Sequence, residues 1–212
     1  FEGSMPSARP DADLEETAFS TDRAMEHVKE VSKDPHAVGF PAHSKVRLHL
    51  MKTQKKMGLM TQLQNAYISG DRGSVTRAIN VLARIPGTGS GKALLLLTHY
   101  DSQPHSSHGA SDAGSGVATI LEGLRAFMAS GKQPVNDIIV LFTDAEELGL
   151  NGAELFVNRH PWAGDVGLVL NFEARGSGGP SYMLIETNRG NQKMIEGFKE
   201  ANPEYPVANS LA

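Results

Sequence analysis

With 212 residues, 40% of them hydrophobic, the chain is long enough to bury one sizeable core with at most a small appendage. Its formal charge of −4 excludes the basic footprint of a nucleic-acid binder, and it has no run of about 18 apolar residues to span a membrane. Cysteine is absent, which removes disulfides, thiolate zinc ligation and a cysteine nucleophile together.

The opening "FEGSM" reads as the remnant of an artificial leader, and residues 1–14, rich in proline and charge, are expected to fray. Apolar spacing predicts a helix over Glu15–Val31, with Phe19, Ala24, Met25 and Val28 on one side. "KDPHAVGFPAH" breaks the pattern with prolines and a glycine, and Ser44 is expected to cap a second helix from Lys45 to Met57. "LMTQLQNAYI" and "SVTRAINVLARIP" read as two strands around an "SGDRGS" turn. "PGTGSGKA" lacks the spacing of a phosphate loop and carries Ala93 where Ser or Thr is needed, so it reads as a turn.

From Ala93 the rhythm becomes strand, helix, strand, helix. "ALLLL" is continuously apolar, as a central strand covered on both faces should be. Val117, Ile120, Leu121, Leu124, Phe127 and Met128 recur at helical spacing. "DIIVLFT" reads as a strand, "LNGAELFVNRH" as a helix, "VGLVLNF" and "SYMLIET" as strands, and "NQKMIEGFKEAN" as a last helix. The alternation predicts an α/β fold, a three-layer sandwich whose mixed, mostly parallel central sheet is flanked by helices.

In open α/β sheets, sites gather outside the carboxyl ends of the strands. Three apolar strands here end in candidate ligands: His99 with Asp101, Glu146 with Glu147, and Glu173. Asp112 stands where the helix after the first of them begins. Singly, each has an ordinary reading: a hydrogen-bonded histidine, a helix cap, solvated loop charges. Their convergence on one edge points to a metal, and imidazole with carboxylate suits zinc and its first-row neighbours. His105 and His108 read as a polar loop at the rim of the cleft.

The phrases "THYDS", "ASDAGSGVA", "TDAEELGLNGAELF" and "NFEARG" together resemble the zinc exopeptidases of metallopeptidase family 28. That family includes aminopeptidase Y, bacterial leucyl aminopeptidases and a membrane-anchored branch of the endoplasmic reticulum and vacuole. "DPHAVGFPAHSKVRLHL" is similar to its N-terminal region, and "EARGSGGPSYMLIET" points to the membrane-anchored branch. The resemblance runs from about Thr21 to the C-terminus. It implies two zinc ions sharing Asp112, with His99 and Glu173 completing one ion and Glu147 serving the other. Glu146 would be the general base, Asp101 would hydrogen-bond His99, and a cis peptide would join Asp112 to Ala113. The implied reaction is hydrolysis of N-terminal peptide bonds, with peptide or protein N-termini as substrates. Neither nucleic acid nor direct membrane contact by this domain is implied, and the expected location is extracytoplasmic or secreted.

The chain departs from the family where Asp112-Ala113-Gly114 replaces Asp-Asp-Gly, and where no histidine follows Glu173 to supply the family's last ligand. Residues 15–212 therefore read as a catalytic domain lacking its C-terminal part. One zinc or none would be firmly held, activity would be weak or absent, and an exposed sheet edge would favour self-association. Two alternatives remain: a glutaminyl cyclase-like enzyme with a single zinc, and a non-catalytic interaction module of the same fold.

Overall fold

Strands β3 (Ala93–His99) and β4 (Ile138–Thr143) run parallel at the heart of the computed structural model, which describes residues 8, 10–70, 73–174, 183–186, 192–201 and 208–211. Their apolar runs alternate between two cores, as a period of two requires. On β4, Val140 and Phe142 face a cluster with Val31, Val46, Leu50, Val117, Leu121 and Leu124. Ile139 and Leu141 face the opposite side, against Leu82, Leu95 and Phe156. One core lies under α1 (Thr21–Val31), α2 (Pro41–Lys56) and α3 (Gly114–Ala129), the other under α4 (Asn151–Arg159). This is the expected three-layer α/β architecture.

The central sheet has the order β1-β2-β4-β3-β5. β1 (Thr61–Ser69) and β2 (Val75–Ile85) form the predicted hairpin and join β4 antiparallel, whereas β3 pairs parallel with both β4 and β5 (Val166–Asn171). The sheet is therefore mixed. The chain divides into two compact units; the larger spans Arg9–Gly176. The smaller contains a parallel pair, β6 (Met183–Glu186) and β7 (Ala208–Leu211), with α5 (Gln192–Ala201) between them in sequence. β6 and α5 match predicted elements, while β7 had no counterpart in the sequence reading. The ends of the predicted "SYMLIET" and "NQKMIEGFKEAN" segments, and Asp71 and Arg72 of the hairpin turn, lie outside the described residues.

Two helix starts differ from expectation, each for a capping reason. α1 begins at Thr21 rather than Glu15 because the Ser20 hydroxyl accepts from the Arg23 N–H at 3.3 Å. α2 begins at Pro41 rather than Lys45: proline at the first helical position gives up only an N–H that has no partner there anyway. Ser44 lies inside that first turn, its hydroxyl donating to the Pro41 carbonyl at 3.1 Å. Part of the segment expected to fray is a 3-10 turn at Asp11–Asp13, where the Asp11 N–H donates to Asp22 at 2.8 Å and Arg23 pairs with Asp11. Among the described residues no helix is long and apolar enough to cross a membrane.

Candidate metal centre

Parallel register sets His99 beside Thr143, so the carboxyl ends of β3 and β4 open on the same edge. The Phe172 N–H donates to the Leu97 carbonyl at 2.8 Å, and the Thr98 hydroxyl donates to the Phe172 carbonyl at 2.7 Å. Those two bonds bring Glu173 alongside His99. Asp112 arrives from the other direction, just before α3. Gly116 lets that helix sit close: a Cβ there would lie 2.4 Å from the Thr98 hydroxyl and 2.5 Å from the Phe172 carbonyl. The peptide between Asp112 and Ala113 is cis, as the resemblance implied.

His99 is 2% exposed and stands at the focus of the carboxylates. Its Nε2 lies 2.9 Å from Asp112 Oδ1, 3.5 Å from Glu173 Oε1 and 3.9 Å from Glu146 Oε2. Two sets of side chains bring donor atoms within 4.8 Å of one another: His99, Asp112 and Glu173, and His99, Glu146 and Glu147. All the metal candidates named from sequence, and the candidate base, thus meet at one edge.

Asp101 meets His99 chiefly through its backbone. The imidazole Nδ1 contacts the Asp101 backbone carbonyl at 2.9 Å, while the carboxylate stands 3.5 Å away. With Nδ1–H donating to that carbonyl, Nε2 is the nitrogen left to a metal. The Asp101 carboxylate instead accepts from the N–H groups of Glu146 at 3.0 Å and Glu147 at 3.2 Å. Ala145 just before them adopts a left-handed φ of 56°, which costs a side-chain-bearing residue on the order of 1–2 kcal/mol. That turn aims the two following amides at Asp101.

Burial penalises every charge here. It pulls His99 down, but the Asp101 and Glu173 carboxylates override it and hold the imidazolium up to about 11. Burial, reinforced by Asp112, pushes Glu147 up to about 7. Glu146 and Asp112 are also raised, first by burial, with Glu173 adding repulsion. Burial pushes Glu173 up, but the His99 bond and charge, the Ala174 N–H and Asp112 together hold it below its ordinary value. Glu147 Oε1 is buried with no hydrogen-bond partner among the described residues. An orphan carboxylate oxygen beside one imidazole and other carboxylates fits a divalent cation, and the oxygen–nitrogen donor set suits zinc.

Sequence reasoning missed the polar network behind the edge. His43 Nε2 donates to Asp144 Oδ1 at 2.7 Å, and its ring stacks on Tyr100 with centroids 5.0 Å apart. Asp144 Oδ2 accepts from the Ile79 N–H at 2.8 Å, and the Asp144 N–H donates to Asn80 Oδ1 at 3.0 Å. A signal was present: His43 shares a buried helix face with Val46 and Leu50, and an imidazole there needs a buried partner. His105 and His108 are exposed and belong to neither donor set; His108 Nδ1 donates to the Ser32 carbonyl at 2.8 Å.

Fold and site together define an α/β domain with a metal-competent cluster at the carboxyl edge of its sheet. Residues 80–210 match peptidase family M28, and the chain belongs to that family. The vacuolar membrane protease of Candida tropicalis is 33% identical over 216 residues, covering 94% of this chain and 22% of its own length. That of Candida albicans (strain SC5314) is 36% identical over 187 residues, covering 87% of this chain and 21% of its own. The chain thus spans about a fifth of the length of these relatives. A zinc-dependent exopeptidase from Parabacteroides distasonis superposes with a TM-score of 0.76 at 22% identity, over 97% of this chain and 79% of the other. A Porphyromonas gingivalis glutaminyl cyclase gives 0.75 at 23%, over 92% and 76%. At that identity these structures establish the fold. The expectation of an extracytoplasmic or secreted location is corrected by the relatives, which are named for the vacuolar membrane.

Proposed function

We propose that this chain carries the catalytic edge of a zinc aminopeptidase that hydrolyses N-terminal peptide bonds, in a parent protein of the vacuolar membrane. What carries the reading is the meeting of His99 with Asp112, Glu146, Glu147 and Glu173 at one sheet edge, with a buried Glu147 oxygen left without a partner. In this reading His99, Asp112 and Glu173 hold one zinc, and Asp112 with Glu147 holds a second. Bound zinc polarises a carbonyl and lowers the pKa of water. Glu146, its carboxyl raised above its ordinary value by burial, takes a proton from the attacking water. The water oxygen bonds to the scissile carbon, the C–N bond breaks, and Glu146 delivers the proton to the leaving amine. Asp101 holds the Glu146 and Glu147 backbone in place through their amides.

Two measurements on the same protein test this. Zinc content should approach one ion per chain and fall with a chelator. Release of the N-terminal residue from a peptide should fall at least about a hundredfold in Glu146→Gln while zinc content is kept. A peptide beginning with glutamine separates the rival: ring closure in place of residue release would make the site a cyclase. A chain that takes up no zinc would sink both readings.

A further inference from the structure

A cavity of about 450 Å³ opens between the start of α2 and the start of β2, apart from the carboxylate cluster. Its walls include Phe40, Arg47, Val75, Arg77 and Leu148, and none of its lining residues is acidic. Three arginines elsewhere in the larger unit, Arg23, Arg84 and Arg125, are each paired with a carboxylate. Arg47 and Arg77 have no ion pair among the described residues: Arg47 reaches the Tyr100 hydroxyl at 3.4 Å and Arg77 the Asn65 side-chain oxygen at 3.0 Å. Beside them, Phe40, Val75 and Leu148 are 39%, 69% and 41% exposed. The α2 N-terminus adds to the positive field, since Phe40 at the cap offers no side-chain acceptor. Two guanidiniums without an internal counter-charge, set among uncovered apolar side chains, match a carboxylate on an apolar-bodied ligand.

Its placement says which ligand. Leu148 directly follows Glu147, so the cationic cavity and the metal-competent edge stand on consecutive residues of one loop. An extended peptide advances about 3.3–3.6 Å per residue, so a chain reacting at that edge runs past Leu148 within a few residues. We propose that this cavity is a subsite for a peptide carboxylate, with Arg47 and Arg77 as its charged partners. The ligand group is an acidic side chain or a free C-terminus on a peptide lying across the edge. The assignment of a peptide rests on the peptidase reading; the carboxylate selectivity does not.

Binding is measured on the full chain with chelator present, so turnover and zinc uptake do not enter. Four short peptides of matched sequence serve as probes: a free C-terminus, a C-terminal amide, and the amide carrying either an internal glutamate or a glutamine. The free acid or the glutamate peptide should bind at least about tenfold more tightly than its neutral counterpart, and which one does so identifies the source of the carboxylate. Arg47→Gln and Arg77→Gln should each remove that preference, and for Arg77→Gln, whose side chain is exposed, the melting temperature should stay unchanged. Equal binding of acid and neutral peptides, or a preference that survives both substitutions, overturns the subsite. If inorganic phosphate binds as tightly as the best peptide, the site takes any small anion and the peptide assignment is overturned. Because zinc is absent throughout, failure of the aminopeptidase reading shows in the activity assay and not here.

Discussion

Glu122 in α3 is fully buried and Glu146 and Glu147 at the sheet edge are half-buried, yet their charges are met in different ways. Glu122 is 0% exposed and accepts from the Ser20 N–H at 2.9 Å, Arg23 Nε at 3.0 Å and Arg125 Nε at 2.7 Å. Burial pushes its carboxyl up, but Arg125, Ser20 and Arg23 together hold it below its ordinary value. At the edge, burial and mutual repulsion raise Glu146 and Glu147, and only His99 opposes them. One buried carboxylate has its cations supplied by the fold and ties α1 to α3. The other group is short of positive charge in a way the fold does not correct. An ion from outside is the simplest completion of such a cluster.

Breaking the internally completed region should give the largest change. Glu122→Ala leaves the buried Ser20 N–H without an acceptor and takes a carboxylate from two arginines. Losing one partner of a buried pair costs about 3–5 kcal/mol, and the arginine side chains here are 27% and 26% exposed. A loss of about 3 kcal/mol is expected by urea unfolding, with zinc uptake unchanged. The edge should respond in the opposite sense. Zinc at a hundred times its dissociation constant should add about 2.7 kcal/mol, raising the melting temperature by roughly 5–10 °C. Chelator should reverse the gain, Asp112→Ala should abolish the response, and Glu122→Ala should keep it. A melting curve indifferent to zinc and chelator would remove the contrast between the regions.

Much of this was legible in sequence because it was local. Apolar runs of strand length located β3, β4 and β5, and ligands standing just beyond those runs were visible as such. The resemblance supplied their roles. Helix starts were harder: Pro41 reads equally as a breaker or as a first helical residue, and only the course of the preceding chain decides. The backbone role of Asp101 and the His43–Asp144 pair join residues 45 and 101 positions apart, and no periodicity records such a pairing. The cationic cavity was invisible for the same reason, since Arg47 and Arg77 lie on different elements and become neighbours only in the folded chain.

Asp101 sharpens the comparison further, because it supports the edge without belonging to either donor set. Asparagine in its place keeps one oxygen but turns an NH₂ towards a backbone N–H, so one of the Glu146 and Glu147 amides loses its acceptor. The carboxylate that faces His99 also becomes neutral. Altering such a supporting group costs about 10–100-fold in metal affinity. Asp101→Asn should therefore weaken zinc binding by about tenfold in a competition titration. An unchanged affinity would mean that the loop holds its shape without this carboxylate.

The smallest expected effect is a pH dependence that distinguishes the two regions by sign. Glu147 has its carboxyl raised to about 7 in the folded chain, against an ordinary 4.5. Between those values the folded state binds the extra proton, so the Glu147 contribution to the stability of the metal-free chain should fall as pH rises through this window. Glu122, held low, contributes stability that is present above 4.5 and lost as pH falls through its folded value. His99, held up to about 11, loses its contribution only above its ordinary 6.5. His27, His36, His49 and His160 are held below 6.5 and add stability as pH rises through the same interval, so the Glu147 contribution is read as the difference between the parent chain and Glu147→Gln. In chelator, the change in stability across that interval should be more favourable in Glu147→Gln than in the parent chain by about 1 kcal/mol, the full shift being discounted for partial exposure. Saturating zinc should move the parent chain in the same direction, because the metal takes the ionised carboxylate and displaces the proton. Urea unfolding at pH 4.5, 5.5 and 6.5, with and without zinc, reads both. If the metal-free chain and Glu147→Gln show the same pH dependence across this interval, the edge is not the repulsive cluster that its geometry describes.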